Sequence, residues 1–281
     1  GHKKNTNQSI HTSPKILFIL SFYSALQNSI ENDIWKPEGM PAVNKLFERL
    51  HDKEINFDVI FTENKSKRKL VRGVRNNKFN NTFYIYSLNI KHKFYLKILN
   101  IVTILKFIIF IRSFIRKNKS TLIYVDRSNF LIAAILSFLG YKVSLRFHGV
   151  SNFYSNYKSL KFKLLNPLNF FGLWAPFKII LSSDDGSPAH FFLKKFRQSS
   201  KKFILKNGVD NFMHQNTDKI FKNNFLTLIF VGRFSSDKGI IEFMKTLIKL
   251  NENLINVNSI FIGDGPLKNK VVSIIKDYNL K

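Results

Sequence analysis

Cysteine is absent from all 281 residues, which removes disulfide scaffolds, thiol nucleophiles and cysteine-held zinc from consideration. Acidic residues are scarce, 18 against 45 lysines and arginines, for a formal charge of +27. Apolar runs long enough to cross a bilayer are missing too. The longest break at Thr103 or Lys106, short of the roughly 20 residues a spanning helix needs. No secretory signal pattern opens the sequence, and no short repeat period runs through it. The chain begins on Gly1 rather than Met and is expected to be a fragment. Hydrophobic residues make up 44% of it, enough for a real core in one large domain or two ordinary ones.

A field of +27 attracts phosphorylated substrates, anionic lipid or nucleic acid without choosing among them. Phe, Ile, Asn and Lys are all abundant, as AT-rich codons would supply them, and this accounts for part of the excess. The charge is uneven. Residues 225–281 carry eight basic and five acidic side chains, leaving +24 on the preceding 224 positions.

Apolar runs and helical periodicities alternate along the chain. Residues 1–14 are polar and read as a loose tail. KILFIL is a buried strand, followed by a long polar loop through Trp35, Pro37 and Gly39. PAVNKLFERLHDK sets Val43, Leu46, Phe47 and Leu50 at helical spacing, and FDVIFT is the next strand, giving a βαβ unit and a parallel sheet. Residues 63–78 hold seven basic side chains and one acid and are expected to be an exposed loop. TFYIYSL is a strand. In the apolar helix from about Phe94 to Arg116, Ile101, Ile104, Ile108, Ile111 and Ile115 are expected to face the sheet, with Lys106, Ser113 and Lys117 opposite. Strands at TLIYV, KVSLRFHG, FKIILSS and KFILK continue the rhythm. A polar linker at 207–224 separates this block, 15–206, from a second that starts at LTLIFVG. The second block, 225–281, offers two strands and two helices, so a sheet edge and an apolar face are expected to stay uncovered. It reads as the start of a domain.

The sharpest local signal is LIFVGRFSSDKGIIEFMKTLIKL. A strand ends at Val231-Gly232, and a helix begins near Lys238 with Ser235, Ser236 and Asp237 as N-cap types. Arg233 then stands at a strand carboxyl end and Lys238 at a helix N-terminus. Open α/β sheets bind ligands at strand carboxyl ends, and two fixed cations beside a helix N-terminus suit a diphosphate. An ordinary solvated Arg and Lys flanking a turn is the competing reading. Asp264, between two glycines, reads as turn chemistry. No metal site of the Asp-x-Asp type stands in a suitable place, since Asp184-Asp185 are adjacent and follow a strand.

NGVD at 207–210, VGRFSSDKG and IGDGP, in this order and at these separations, resemble the start of the second domain of GT-B glycosyltransferases, most closely the retaining family 4. KILFIL, the loop ending PEGMPAVNKLFERL, FDVIFT and the strand ending RFHG are similar to that family's first domain. The resemblance implies an α/β, GT-B-like fold with a complete first Rossmann-like domain on the acceptor side and the start of a donor-side second. It implies a hexosyltransferase-type enzyme that moves a sugar from a nucleotide-diphosphate sugar to a glycan or lipid-linked acceptor with retention. The nucleotide sugar is a co-substrate, and no metal or further cofactor is expected. Arg233 and Lys238 match the basic pair on the donor diphosphate, Gly39 and Gly232 the donor loops, and His148 a catalytic histidine near the transferred sugar. The family's usual Gly-Gly is here Glu38-Gly39. Its second domain continues into an E-x7-E segment that these 281 residues do not include, so weak donor affinity and impaired transfer are expected of the chain as given.

Lipid-linked acceptors place many such enzymes in the cytoplasm at the inner membrane face, and the basic loop Lys65–Lys78 and the cluster Lys194–Lys206 are the segments expected to meet anionic lipid. The competing class is a non-enzymatic basic module that holds anionic lipid or nucleic acid. Residues Tyr154–Phe171 mix aromatic and basic side chains as a stacking platform would, yet their periodicity suits burial equally well. No nucleic-acid motif of known geometry is present, and nucleic acid is not the expected partner.

Overall fold

The structure, a computed structural model, describes residues 15–35, 41–64, 69–88, 97–150, 157, 159–165, 167–184, 188–206 and 226–280. The chain divides into two compact units, residues 1–209 and 210–281. The 1–14 tail and the 207–224 linker read from sequence lie outside the described residues.

The first unit is built on one eight-stranded sheet in the order β3-β4-β2-β1-β5-β6-β7-β8. Its strands are β1 (Ile16–Ser21), β2 (Phe57–Glu63), β3 (Val71–Asn76), β4 (Asn81–Ser87), β5 (Leu122–Asp126), β6 (Val143–Phe147), β7 (Ile179–Asp184) and β8 (Lys201–Lys206). All pairings are parallel except β3 with β4. Because β1, β2 and β6 are buried over most of their length, they read as largely apolar runs.

Two helical layers cover the sheet. On one face lie α1 (Ser24–Glu31) and α2 (Pro41–Asp52), whose Leu26, Ile30, Val43, Phe47 and Leu50 share a core with β1, β2 and β4. Phe47 stacks on Phe57 at 5.3 Å and meets Phe18 edge-on at 5.1 Å. The opposite face carries α3 (Lys97–Asn118), α4 (Phe130–Phe138), the short α5 (Leu160–Leu165) and α6 (Pro167–Phe171), and α7 (Ala189–Leu193). Its core includes Phe107, Ile111, Phe130, Leu136, Phe147 and Phe192.

Three sequence expectations change. The polar loop after β1 contains a helix, α1, held by Leu26 and Ile30 on one side. The basic stretch 63–78 contains a strand, β3, whose residues 71–76 pair antiparallel with β4. An edge strand tolerates its arginines because one side of it faces water; Arg72 bonds Glu31 of α1 and lies over the Phe22 ring. In α3 the buried face is centred on Phe107, Ile108, Ile111, Phe114 and Ile115, leaving Ile101 45% exposed. Phe107 against Tyr86 (4.3 Å between centroids) and Phe114 against Tyr84 (5.1 Å) turn the helix in this way.

The second unit pairs β9 (Leu226–Val231) in parallel with β10 (Val257–Ile262). The helices α8 (Ile240–Glu252) and α9 (Lys268–Asp277) pack with Phe234, Met244, Leu247 and Val271 as its core. The other sheet face shows Ile229, Val231, Ile260 and Ile262, each about half exposed or more. Among the described residues of the chain, no helix is long and apolar enough to cross a membrane.

Neighbouring isoleucines on α3 test this packing. Ile111→Ala, which empties a fully buried site, should cost about 2–5 kcal/mol by denaturant unfolding. Ile109→Ala, at a position 67% exposed, should change stability by no more than about 0.5 kcal/mol.

Candidate functional site

The strand order reverses at β1: the chain fills positions to one side of it with β2, β3 and β4, then crosses through α3 to β5 on the other side. Open α/β sheets bind ligands outside the strand carboxyl ends at such a reversal. Asp126, the last residue of β5, stands at that switch point, 5% exposed. Its carboxylate accepts from the Ser21 backbone N–H of β1 at 2.7 Å, and from the Asn129 backbone N–H at 3.3 Å and side-chain amide at 3.0 Å. It thereby caps the single helical turn Arg127–Asn129 that leads into α4. Asn129 in turn accepts from the Thr62 hydroxyl of β2 at 3.0 Å. Burial pushes the Asp126 carboxyl up while its hydrogen bonds pull the other way. Tyr23, just past β1, has a buried hydroxyl without a hydrogen-bond partner among the described residues, and desolvation with the nearby Asp126 raises it to about 12.

His148 stands one residue past β6. Strand alternation gives it the same sheet face as Arg146, a residue 6% exposed whose guanidinium donates to the Ser183 hydroxyl at 2.9 Å. Arg127 donates to the Gly149 carbonyl at 3.0 Å. Burial first, then the positive charges of Arg146 and Arg127, push His148 down to about 4. Its Nε2 is buried without a partner among the described residues. The imidazole is therefore neutral at physiological pH, a hydrogen-bonding group rather than a cation, inside a positive field. Asp126, Arg127, Arg146 and Tyr23 were not singled out from sequence. The signals were present in YVDRSN, an acid at a strand end followed by turn formers, and in RFH, where Arg and His two apart share one face.

In the second unit, Gly232 follows β9 and donates its N–H to Ile262 at 3.0 Å. Arg233 is exposed, next to this strand's carboxyl end. The helix begins later than the sequence suggested. Ser236–Lys238 is a separate single turn, and α8 starts at Ile240 with Gly239, at φ 75°, as its N-cap. The left-handed backbone at that cap suits glycine, which is why Ser235, Ser236 and Asp237 do not cap α8. Lys238 is exposed at the end of the single turn. The loop between the two cations rests on the Gly-Asp-Gly turn. Phe234 donates its N–H to the Asp264 carbonyl at 2.9 Å and accepts from Leu267 N–H at 3.0 Å. A Cβ at Gly263 would collide with the Gly232 carbonyl, and one at Gly265 would meet the Phe234 oxygen at 2.6 Å. Both glycines are required by this close backbone approach. The exposed Asp264 side chain accepts from the Gly265 N–H at 2.7 Å, which with Lys268 lowers its carboxyl, in keeping with a turn role.

Gly39, the NGVD segment and Asp185 lie outside the described residues. Among the described residues, no group of three His, Asp or Glu side chains is placed to hold a metal ion.

No family model matches the chain, and no curated protein matches its sequence. Solved structures do match. Sucrose-phosphate synthase from Thermosynechococcus elongatus superposes with a TM-score of 0.54 at 13% identity, over 95% of this chain and 68% of that one. The trehalose-6-phosphate structure from E. coli bound with UDP-2-fluoro glucose gives 0.55 at 10% identity, over 94% and 69%. A glycosyltransferase from Rickettsia africae gives 0.52 at 14%, over 96% and 66%. The fold is GT-B-like. Asp126 ends β5 and Arg233 follows β9 by two residues, so both stand near strand carboxyl ends.

The neutral histidine gives a pH test. A base lowered on folding binds fewer protons in the native state, so its contribution to stability is complete above the unfolded value of about 6.5 and is lost as pH falls toward 4. His148→Gln should flatten the decline in stability between those limits. By NMR, the His148 ring should titrate near 4; a midpoint near 6.5 would contradict the burial described.

Proposed function

We propose that the protein is a glycosyltransferase that moves a sugar from a nucleotide-diphosphate sugar to a glycan or lipid-linked acceptor. One observation carries this reading. In a GT-B-like fold, an exposed Arg233 follows the carboxyl end of β9 and an exposed Lys238 precedes the α8 N-terminus, on a loop backed by the Gly-Asp-Gly turn.

In the proposed reaction the bond from the anomeric carbon to the diphosphate oxygen breaks, an acceptor hydroxyl oxygen bonds to that carbon on the same face, and the hydroxyl proton leaves with the departing diphosphate. Negative charge grows on the departing diphosphate. Arg233 and Lys238, with the backbone N–H groups that open α8, hold and stabilise it. Gly232 lets the backbone come close to the donor, and the motif resemblance gives Gly39 the same part. His148 takes the catalytic position beside the transferred sugar. Being neutral, it can donate from one ring nitrogen and accept at the other. Retention, a hexose donor and the loop role of Gly39 belong to this proposal and are supported by the motif resemblance alone.

Binding is the direct test. UDP, GDP and ADP should be titrated against the protein by calorimetry, and at least one should bind with an affinity that falls as salt rises. Arg233→Ala and Lys238→Ala should each weaken it ~10- to 100-fold, the loss expected for a charge-assisted hydrogen bond. Unchanged affinity in both variants would remove the basis of the reading.

A further inference from the structure

Between Glu63 and Asp184 the sequence contains a single acidic residue, Asp126, and 22 lysines and arginines. Asp126 is buried in the hydrogen-bond network described above, so the described residues between 64 and 183 present no carboxylate on their surface. That stretch includes α3, α4, α5 and α6, all on one face of the sheet. The central α4 contacts both α3 and α6.

The outward side of α3 has a two-part pattern. At 100° per residue, Val102, Leu105, Ile109, Arg112 and Arg116 fall within an arc of about 80°. Val102, Leu105 and Ile109 are 44%, 51% and 67% exposed, and Arg112 and Arg116 are exposed after them. An apolar half is thus followed by a cationic half along one stripe. On the far side of α4, Phe171 and Trp174 are 51% and 54% exposed. These two rings pack edge-on at 5.5 Å.

We propose that this helical layer is a docking surface for an anionic lipid bilayer. The combination favours that occupant. Large apolar side chains stand in water beside guanidinium groups with no carboxylate among them, as in helices that lie in the headgroup plane. Trp and Phe at the margin suit the same depth. The helix needs no ordering to bind, because its opposite face is already fixed by Phe107, Ile111 and Phe114. α3 runs from the carboxyl end of β4 to the amino end of β5. Its apolar half therefore lies nearer the strand carboxyl ends, the edge where His148 and Asp126 stand. This places the bilayer on α3 and α6, not on the Lys65–Lys78 loop or the Lys194–Lys206 cluster.

The proposal does not depend on sugar transfer, and vesicle binding is measured without any nucleotide. The whole chain should sediment with vesicles of phosphatidylcholine plus phosphatidylglycerol and not with phosphatidylcholine alone. Leu105→Gln/Ile109→Gln should weaken that binding about tenfold or more with an unchanged melting midpoint. Arg112→Gln/Arg116→Gln should weaken it similarly and reduce its salt dependence, whereas Lys268→Gln/Lys276→Gln in the second unit should leave it unaltered. Equal binding to neutral vesicles, or retention of binding by both α3 variants, would overturn the proposal. So would a concentration-dependent dimer, or a salt-sensitive DNA complex, that the Leu105→Gln/Ile109→Gln variant abolishes.

Discussion

The first unit turns on a carboxylate that cannot reach water. Asp126 closes the point where the sheet changes direction, joining the end of β1 to the end of β5 and starting the turn into α4. A buried ionised carboxylate costs several kcal/mol unless its lone pairs are filled, and here three N–H groups fill them. The same bonds fix two strand ends and one helix entrance in a single geometry. The carboxyl ends of β1 and β5 inherit that geometry, and so do Tyr23 and Arg127, which follow them in the chain. A side chain in so demanding a position leaves little room for alternative arrangements of the switch point.

Most of the architecture could be read directly because parallel strands covered on both faces must be apolar throughout. KILFIL, FDVIFT and TLIYV could hardly be anything else. The departures have a different balance of forces behind them. The charges of VRGVRN argue for solvent, yet an edge position satisfies both the charges and the ladder. SALQNSIE offers only two large apolar side chains, Leu26 and Ile30, too few for periodicity to register, and its helix is held by the core those two join and by its contact with β3. In α3 the isoleucine spacing was real, but two phenylalanines between those isoleucines outweigh Ile101 in the competition for the sheet. Fold-level likeness to solved structures covers 94% to 96% of the chain, consistent with how much of the alternation was visible.

The site divides differently. Arg233 and Lys238 were legible because one local strand-to-helix connection places them. The Gly-Asp-Gly turn seemed a separate feature. Its function in this structure is to support the Arg233 loop from beneath, through backbone bonds that link residues thirty apart. His148 was reachable only through resemblance, and its electrostatics not at all. Arg146 and Arg127 become its neighbours once β5 and β6 pair in register, with Asp126 beside Arg146. No spacing rule in a single sequence contains that pairing.

Charge connects the two scales. Concentrated positive charge destabilises a compact state through self-repulsion, and the first unit carries most of the +27. Codon bias can add lysines anywhere on a surface. It does not explain why acids disappear from the helices of one layer while Glu31, Glu48 and Asp58 persist in and around the opposite layer, where they pair with Arg72, Lys45 and Lys15. On that opposite side the charges are balanced locally. On the α3 side they are not, and apolar side chains stand exposed beside them. A surface that keeps both repulsion and exposed hydrocarbon is relieved of both at once by an anionic, partly apolar neighbour, and a bilayer supplies those two properties in the same plane.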